Sequence, residues 1–173
     1  PGFSHHADLP VVEWGQASAT LIAGDFLGAS SPAEFGTDLV GLQAQLRPGV
    51  TPVPLRPDFE HALIALDGPL LVGGEPAAPR ATTSPGQIAA LGTGRSEIDV
   101  EARQPTRMML LGGVPFPEPV FMWWNFVARN ADEVSTFHAD WRDSGQRFGE
   151  VDSSLGRIPA PSPPWEPIRT SHP

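Results

Sequence analysis

Short segments of alternating apolar and polar residues recur along the chain up to residue 113, and this period-two pattern is typical of β-strands buried on one face. Within the segment 39–46, Leu42, Ala44 and Leu46 fall on the same face. Roughly eight to ten such segments, separated by Gly and Pro turns, predict an all-β sandwich or barrel made of antiparallel strands. The other clear strand segments are 19–24, 59–68, 87–91 and 98–102.

Three segments carry more specific expectations. The tripeptide Val53-Pro54-Leu55 contains one proline and has others close on both sides. Because proline has no backbone N–H to donate to a neighbouring strand, this segment is predicted to be an edge strand. Asp67-Gly68 is a turn signal between two apolar segments and predicts a hairpin of 59–68 with 70–72, although Pro69 does not suit a simple two-residue turn. The continuous apolar run 108–111 predicts a strand buried on both faces.

One helix is predicted after residue 130. Asn130 is a suitable N-cap, and Glu133 three residues later completes a pattern like a capping box. Gly145 is the expected C′ residue that ends the helix. The apolar face, at spacings of three and four residues, consists of Val134, Phe137, His138 and Trp141.

The segment 121–126 is rich in aromatic residues. Alternation along one strand places Phe121 and Trp123 on one face and Met122 and Trp124 on the other, so this strand is predicted to be buried between two layers. It would pack the sheets against the helix or one domain against another, and stacking of a ligand on the aromatic rings is the alternative. The predicted interface or packing residues are Trp123, Trp124, Phe126, Phe137 and Trp141.

Charge and composition exclude several classes of protein. The 173 residues carry a formal net charge of −9 and no lysine, so no basic stripe for DNA or RNA is present. The chain has no cysteine, which excludes disulfides and thiolate metal sites. No apolar run is long enough to span a membrane and no signal peptide is recognisable, so the cytoplasm is expected by elimination. Because the chain begins with Pro1, we expect it to be part of a longer protein.

Motifs for nucleophilic catalysis and phosphate binding are absent from the sequence. No Gly-x-Ser-x-Gly elbow occurs, and no Gly-rich loop is followed by a lysine. The acidic pair Asp132-Glu133 suits the start of a helix, where negative charge favours the helix dipole. No catalytic residue is therefore predicted.

The segment 112–149 (GGVPFPEPVFMWWNFVARNADEVSTFHADWRDSGQRFG) closely resembles the signature of pirin-like proteins. That signature belongs to the C-terminal half of pirin-like proteins. Other parts of the same half resemble three further segments of this chain: the opening FSHHADLP, the segment FEHALIALDG and the closing RIPAPSPPW. The resemblance implies a cupin, or jelly-roll, β-barrel of two packed antiparallel sheets with one C-terminal α-helix and a Pro-rich tail. The expected division is a lead-in at 1–12, the barrel at 13–128, the helical segment at 129–150 and the tail at 151–173.

The resemblance also implies where a metal would lie. Pirins resemble two cupin domains face to face, with iron held by three His and one Glu in the N-terminal domain and usually no metal in the C-terminal one. In this chain Arg56, Pro57 and Asp58 occupy the region expected for the His-x-His ligands. His61 and Glu97 are the remaining ligand types at motif-like places, too few for a good site. We therefore expect no metal or other cofactor in this chain, and iron or another divalent metal in the N-terminal domain.

Three functions remain open. In the first, the chain is a non-catalytic domain that packs against a metal-binding N-terminal cupin, in a parent with quercetin 2,3-dioxygenase-type or redox-sensing regulatory activity. In the second, it is an autonomous cupin dioxygenase with a cryptic site at His61 and Glu97. In the third, it is a partner of a transcription factor that does not itself touch DNA. His5-His6 cannot readily chelate one ion, because adjacent residues of an extended chain point apart, but they could close a site on a neighbouring domain.

Overall fold

A computed structural model of the protein describes residues 4–73, 81–149 and 152–165. The described chain forms two compact units, Ser4–Pro115 and the residues from Phe116 onward. The domain boundaries expected after residues 12, 128 and 150 stay predictions. No helix among the described residues is long and apolar enough to cross a membrane.

The first unit consists of two antiparallel sheets. Its described strands are β1 (Val11–Trp14), β2 (Ala17–Phe26), β3 (Ala29–Ser30), β4 (Leu39–Leu46), β5 (Gly49–Pro54), β6 (Glu60–Ala65), β7 (Leu70–Gly73), β8 (Ala81–Thr83), β9 (Ile88–Gly92), β10 (Glu97–Ala102) and β11 (Thr106–Gly113). The larger sheet has the order β1-β2-β4-β11-β6-β9, with β3 paired to β2. The smaller sheet has the order β5-β10-β7-β8. The prediction of an all-β fold with two packed antiparallel sheets is confirmed.

The core lies between the two sheets and takes every second residue of their strands. Leu42, Leu63 and Leu110 of the larger sheet are fully buried, as are Val53 and Val100 of the smaller one. These side chains belong to one contiguous apolar cluster. Burying an aliphatic side chain of this size contributes about 1.5–3 kcal/mol, so this layer supplies most of the driving force for folding of the unit.

The strand predictions are largely confirmed in place and extent. The predicted strand 39–46 has the same bounds as β4. The proline-flanked segment at 53–55 belongs to β5, which pairs with β10 on one side and lies at the edge of the smaller sheet, as predicted. The prolines are compatible with this place because an edge strand leaves part of its backbone without ladder partners.

The predicted hairpin of 59–68 with 70–72 is wrong, because its two strands lie in different sheets. Ala65 at the end of β6 pairs with Met108, whereas Leu70 at the start of β7 pairs with Ala102. Asp67 lies where the chain passes from one sheet to the other. Its carboxylate accepts a hydrogen bond from the Arg107 backbone N–H at 2.6 Å and another from the Arg107 side chain. The turn residues therefore fasten β6 to β11 before the chain leaves the sheet.

The prediction that the run 108–111 is buried on both faces is also wrong. Met108 and Leu110 of β11 are fully buried, but Leu111 is 39% exposed. The strand lies in the middle of the larger sheet, whose inner face alone meets the smaller sheet. The apolar run therefore supplies the core from one face and leaves apolar side chains on the other.

The second unit contains a hairpin and a helix. Its described elements are β12 (Phe121–Trp123), β13 (Phe126–Ala128), α1 (Ala131–Arg142) and a 3₁₀ turn at Gln146–Phe148. The prediction of one continuous strand across 121–126, buried on both faces, is wrong. Trp123 pairs with Phe126, so Trp124 and Asn125 form a two-residue turn in which Trp124 has a φ of 52°. Met122 on the hairpin is 68% exposed.

The helix begins as predicted but ends differently. The Asn130 side chain accepts a hydrogen bond from the Glu133 backbone N–H at 2.9 Å, which confirms the N-cap. The Glu133 carboxylate in turn accepts from the backbone and guanidinium of Arg129, and this holds the pKa of Glu133 below its usual value. At the other end, Ser144 rather than Gly145 adopts the left-handed conformation, with a φ of 56°. Gly145 follows it and donates to the Asp140 carbonyl, as in a Schellman motif.

The turn between β2 and β3 yields a test of local strain. Leu27 and Gly28 form this two-residue turn and have φ values of 49° and 82°, and the Leu27 side chain is 52% exposed. Asn tolerates the left-handed conformation much better than Leu, so Leu27→Asn is expected to raise the free energy of unfolding by about 1 kcal/mol in urea titrations. Leu27→Ala is the matched control, because it removes the exposed apolar side chain without relieving the backbone. An equal gain in both variants would contradict the strain at this residue.

Candidate functional site

Two cavities at one end of the first unit share Asp25 and Arg56 among their lining residues. The first, which we call the His61 cavity, has a volume of ≈ 240 Å³. Its walls are Phe26, Val40, Pro54, Leu55, His61 and Leu110, with Asp25, Leu27, Gly28 and Arg56 completing the lining. The second has a volume of ≈ 190 Å³ and also contains Asp38 and Phe59.

His61 is the polar residue of this site that points toward the core. It alternates along β6 with exposed Glu60 and shares the inner face with Leu63, so its side chain is only 5% exposed. Its Nδ1 atom is buried, and the Phe59 backbone is the polar group that most strongly affects protonation of the imidazole. Burial lowers the pKa of His61, and the Phe59 backbone and the Asp58 carboxylate oppose that shift only in part. The imidazole is therefore expected to be neutral at neutral pH.

Gly112 makes room for this imidazole. It lies opposite His61 on the neighbouring strand β11. A Cβ atom at position 112 would lie 2.5 Å from Cδ2 of His61 and 3.1 Å from the Glu60 carbonyl oxygen. Because real contacts are not that short, any other residue at this position would push the His61 ring or the strand aside.

Arg56 is held by contacts on several sides. Its guanidinium donates to the Asp58 carboxylate at 2.6 Å and 3.2 Å and lies 3.8 Å from Asp38. Its charged end also lies 4.0 Å from the ring centre of Phe59. The hydrogen bond between the two side chains raises the pKa of Arg56 and lowers that of Asp58. An ion pair thus occupies the segment in which the first two imidazole ligands of a metal-binding cupin are expected from the sequence.

The structure does not bring His61 and Glu97 together. Glu97 begins β10, pairs with Pro54 and is exposed, whereas the buried residues of that strand start with Ile98. It lines neither of the two cavities. Across residues 4–73, 81–149 and 152–165, no group of three or more His, Cys, Asp or Glu side chains could hold a metal ion. The residues around His61 therefore do not fit the three-His, one-Glu centre of a metal-binding cupin.

The five predicted packing residues fall into two groups within the second unit. The ring centre of Trp124 lies 5.3 Å from that of Phe126 and 5.7 Å from that of Trp141. The ring centre of Phe137 lies 6.5 Å from that of Phe126, so Phe137 belongs to the same group. Phe148 completes this aromatic cluster, with its ring 5.2 Å from that of Trp141.

Trp123 belongs to the other group, where its ring lies 5.7 Å from that of Trp165. Trp165 also donates from Nε1 to the Ser135 hydroxyl at 3.1 Å, so it fastens the tail to the helix. No local pattern in the sequence indicates these roles for Phe148 or Gly112. Phe148 ends a 3₁₀ turn and Gly112 lies near the end of β11, and in both places only tertiary contacts reveal the role.

The pair formed by Gly112 and His61 gives a second test. Gly112→Ala is expected to cost about 1–3 kcal/mol in free energy of unfolding, because the new methyl group collides with the imidazole. Gly113→Ala is the matched control, since its Cβ would meet its nearest atoms at 3.4 Å, an ordinary contact. In a His61→Ala background the cost of Gly112→Ala should fall, and a full double-mutant cycle measured by urea unfolding checks this coupling. A cost that is unchanged in that background would contradict the steric explanation.

Comparison with known proteins agrees with the fold. The family model of the pirin C-terminal cupin domain matches residues 41–149. A Pseudomonas aeruginosa protein named "Putative quercetin 2,3-dioxygenase" is 36% identical over 168 residues, which are 96% of this chain and 51% of that protein. A pirin-like protein of Caulobacter vibrioides is 32% identical over 157 residues, 88% of this chain and 51% of that one.

A solved structure shows the same similarity in three dimensions. The crystal structure of a quercetin 2,3-dioxygenase from Acinetobacter baumannii matches with a TM-score of 0.83 and 36% identity, covering 96% of this chain and 54% of that one. The chain spans about half the length of the curated relatives it matches. With two packed antiparallel sheets and a match over most of its length, the chain belongs to the pirin family, in which it corresponds to the C-terminal cupin domain.

Proposed function

We propose that this chain is a metal-free cupin domain that packs against a metal-binding N-terminal cupin of the same protein. In this proposal the longer protein that contains both cupins, which we call the parent, has activity of the quercetin 2,3-dioxygenase type, as the names of the relatives suggest. The observation that carries the proposal is an apolar surface on the outer side of the larger sheet. We call it the outer apolar face, and it consists of Ile22, Ala62, Ile64, Ile88, Met109 and Leu111.

The register of the larger sheet places five of these residues in two rows, while Ile22 lies at an irregularity of β2 between Leu21 and Ala23. Leu111 lies beside Gly41 and Ala62, and Ala62 lies beside Ala90. In the next row Met109 lies beside Ile64, which lies beside Ile88. Leu111 is 39% exposed and Ile88 is 65% exposed. Contiguous apolar side chains on a sheet surface favour association with another apolar surface.

The length of the relatives supports an N-terminal cupin as the partner on this face. Each of the two bacterial relatives is about twice as long as the segment that matches this chain. A domain of similar size is therefore available in such proteins to cover the sheet. The prediction that Trp123, Trp124, Phe126, Phe137 and Trp141 contribute to a domain interface is part of the same proposal.

The donor set around His61 supports the metal-free part of the proposal. Fe(II) in a cupin needs several imidazole and carboxylate ligands converging on one point. Here His61 faces inward alone, while Asp58 is engaged by Arg56 and Glu97 faces the other side of its sheet. The chemistry of the parent would accordingly belong to the other cupin.

Metal analysis of the purified chain tests this part. The chain, expressed in medium supplemented with iron, nickel and zinc, is expected to contain far less than one equivalent of any of them by mass spectrometry. His61→Ala should leave that content unchanged. A stoichiometric metal that His61→Ala abolishes would contradict the proposal and favour the autonomous dioxygenase instead.

Substitution of Leu111 tests the packing. Leu111→Lys in the isolated chain places an ammonium group on an exposed sheet surface, whereas in the parent it would be buried without a partner. The free energy of unfolding should therefore fall by about 1–3 kcal/mol more in the parent than in the isolated chain. Leu155→Lys is the control, because Leu155 is 83% exposed and lies outside this face. Equal costs of Leu111→Lys in both proteins would contradict packing at the outer apolar face.

A further inference from the structure

We propose that a surface of the second unit, formed mainly by α1 and the β12–β13 hairpin, recognises proline-rich segments of partner proteins, and that the tail of this chain fills it until such a segment arrives. The part of the tail that lies on it is the segment 157–165, RIPAPSPPW. Surface and segment both belong to the second unit, so the site does not depend on the proposed N-terminal partner. We call this surface the proline groove, and it consists of Phe121, Trp123, Ser135, Trp141 and Ser144.

The tail segment favours the extended polyproline II conformation before it contacts the groove. Four of the residues 158–164 are prolines, whose rings fix φ at about −65°. The other three, Ile158, Ala160 and Ser162, each precede a proline, which confines them to extended conformations. Because the free segment already resembles the bound one, docking costs little conformational entropy.

Burial along the segment repeats every three residues. Ala160 is partly buried and Pro163 is buried, whereas the other residues of 157–165 are exposed. A polyproline II helix has about three residues per turn, so these two positions lie on the same side of it. The segment therefore turns one side toward the protein and the other sides toward solvent, as a proline-rich ligand does in a groove.

Two indole N–H groups of the groove bind the backbone of the segment. Trp141 donates from Nε1 to the Ile158 carbonyl at 2.9 Å. Trp123 donates from Nε1 to the Pro161 carbonyl at 3.4 Å. Ile158 and Pro161 are again three residues apart, so their carbonyls point to the same side of a helix that has no internal hydrogen bonds. The two tryptophans therefore recognise the spacing of the carbonyls and not the identity of a side chain.

Side chains anchor both ends of the segment. The Arg157 guanidinium donates to the Trp141 carbonyl at 2.9 Å and to the Ser144 hydroxyl at 3.2 Å. Its charged end lies 4.5 Å from the ring centre of Trp141, and the C-terminal end of a helix favours a cation. At the other end, the ring centre of Trp165 lies 5.3 Å from that of Phe121. The groove therefore fits a segment with a cation before its prolines and an aromatic residue after them.

The residues that lead into the segment do little to hold it. From 152 to 159 every residue is exposed, including Leu155 at 83% and Ile158 at 69%. The attachment of the tail therefore depends on the anchors of the segment itself. Each hydrogen bond among them contributes little net free energy, because water competes for both groups. A partner's segment with the same pattern offers the same contacts, so it displaces the tail once its concentration is high enough.

Charge favours a partner protein over a second copy of this chain as the source of that segment. Two copies repel each other, because each carries a formal net charge of −9. An exchange of tails between copies replaces every contact by an identical one, so no new contact offsets this repulsion. A proline-rich segment on a less acidic protein meets less repulsion, and a cation at its start matches the charge of Arg157 in the tail.

Binding of a synthetic peptide with the sequence RIPAPSPPW tests the proposal. Its affinity is measured by fluorescence anisotropy, with a dye attached through an N-terminal Gly-Ser linker, for the unmodified chain and for a variant with Arg157→Ala and Trp165→Ala. Both substitutions weaken the tail and leave the proline groove unchanged. The variant is expected to bind the peptide about tenfold more tightly than the unmodified chain, because the competing tail is weakened.

NMR locates the peptide through the indole N–H resonances of the isotope-labelled double variant. Saturating peptide should return the resonances of Trp123 and Trp141 toward their positions in the unmodified chain. Trp14 is the internal reference, because its Nε1 donates to the Pro52 carbonyl in the first unit and its resonance should stay in place.

Two matched controls separate the contributions of the prolines and of the indole donor. A peptide with alanine in place of the four prolines keeps both ends but loses the preformed conformation, so it should bind about tenfold more weakly. In the double variant, Trp141→Phe removes an N–H donor and keeps an aromatic ring, and it should weaken the RIPAPSPPW peptide about fivefold. If the double variant fails to fold, Trp165→Phe replaces it, because this removes the hydrogen bond to Ser135 and keeps a ring.

Four results would overturn the proposal. Equal affinities of the peptide for the unmodified chain and the tail variant would mean that it binds away from the tail. Equal affinities of the proline and alanine peptides would mean that the groove does not recognise a polyproline II helix. A lack of saturable binding would make the tail a fixed part of the fold. Indole resonances of Trp123 and Trp141 that shift with the concentration of the chain alone would identify a second copy as the occupant instead of a partner.

Discussion

The position of a residue along its strand, odd or even, decides which side of the first unit its side chain occupies. Each sheet buries only its inner face against the other, so every strand divides its residues between the core and the outside. On β6 this alternation buries His61 with Leu63, and on β10 it buries Ile98 and leaves Glu97 exposed. The outer apolar face exists for the same reason, because β11 carries apolar residues at both kinds of position.

This alternation explains which features the sequence could predict. The strand at 39–46 and the edge strand near Val53 follow from local patterns of apolar residues and prolines. The outward orientation of Glu97 was also contained in the pattern, since Ile98 and Val100 identify the inner positions of that strand. The orientation of His61 was not, because Ile64 is as apolar as Leu63. The N-cap at Asn130 is local as well, because it depends on a side chain and a backbone N–H three residues apart.

The incorrect predictions concern choices between distant partners. Asp67-Gly68 suggested a hairpin, but the strands that flank it pair with β11 and β10, and no local signal distinguishes these partners. Because bulky aromatic residues favour strands, the sequence predicts Trp124 inside a strand, whereas it forms a turn that packs against Phe126 and Trp141. The cavity beside His61 could not be predicted either, because its walls come from strands far apart in the sequence.

The outer apolar face also affects how the isolated chain behaves as a colloid. The chain has a formal net charge of −9 at pH 7 and a pI of about 4.8, so electrostatic repulsion between copies opposes association through this face. Near the isoelectric point that repulsion disappears while the apolar contact keeps its strength. Added salt weakens the repulsion in the same direction, since it screens exposed charges over about 10 Å at 0.1 M. Mildly alkaline buffers of low ionic strength are therefore the conditions in which single copies of this chain persist at the highest concentration.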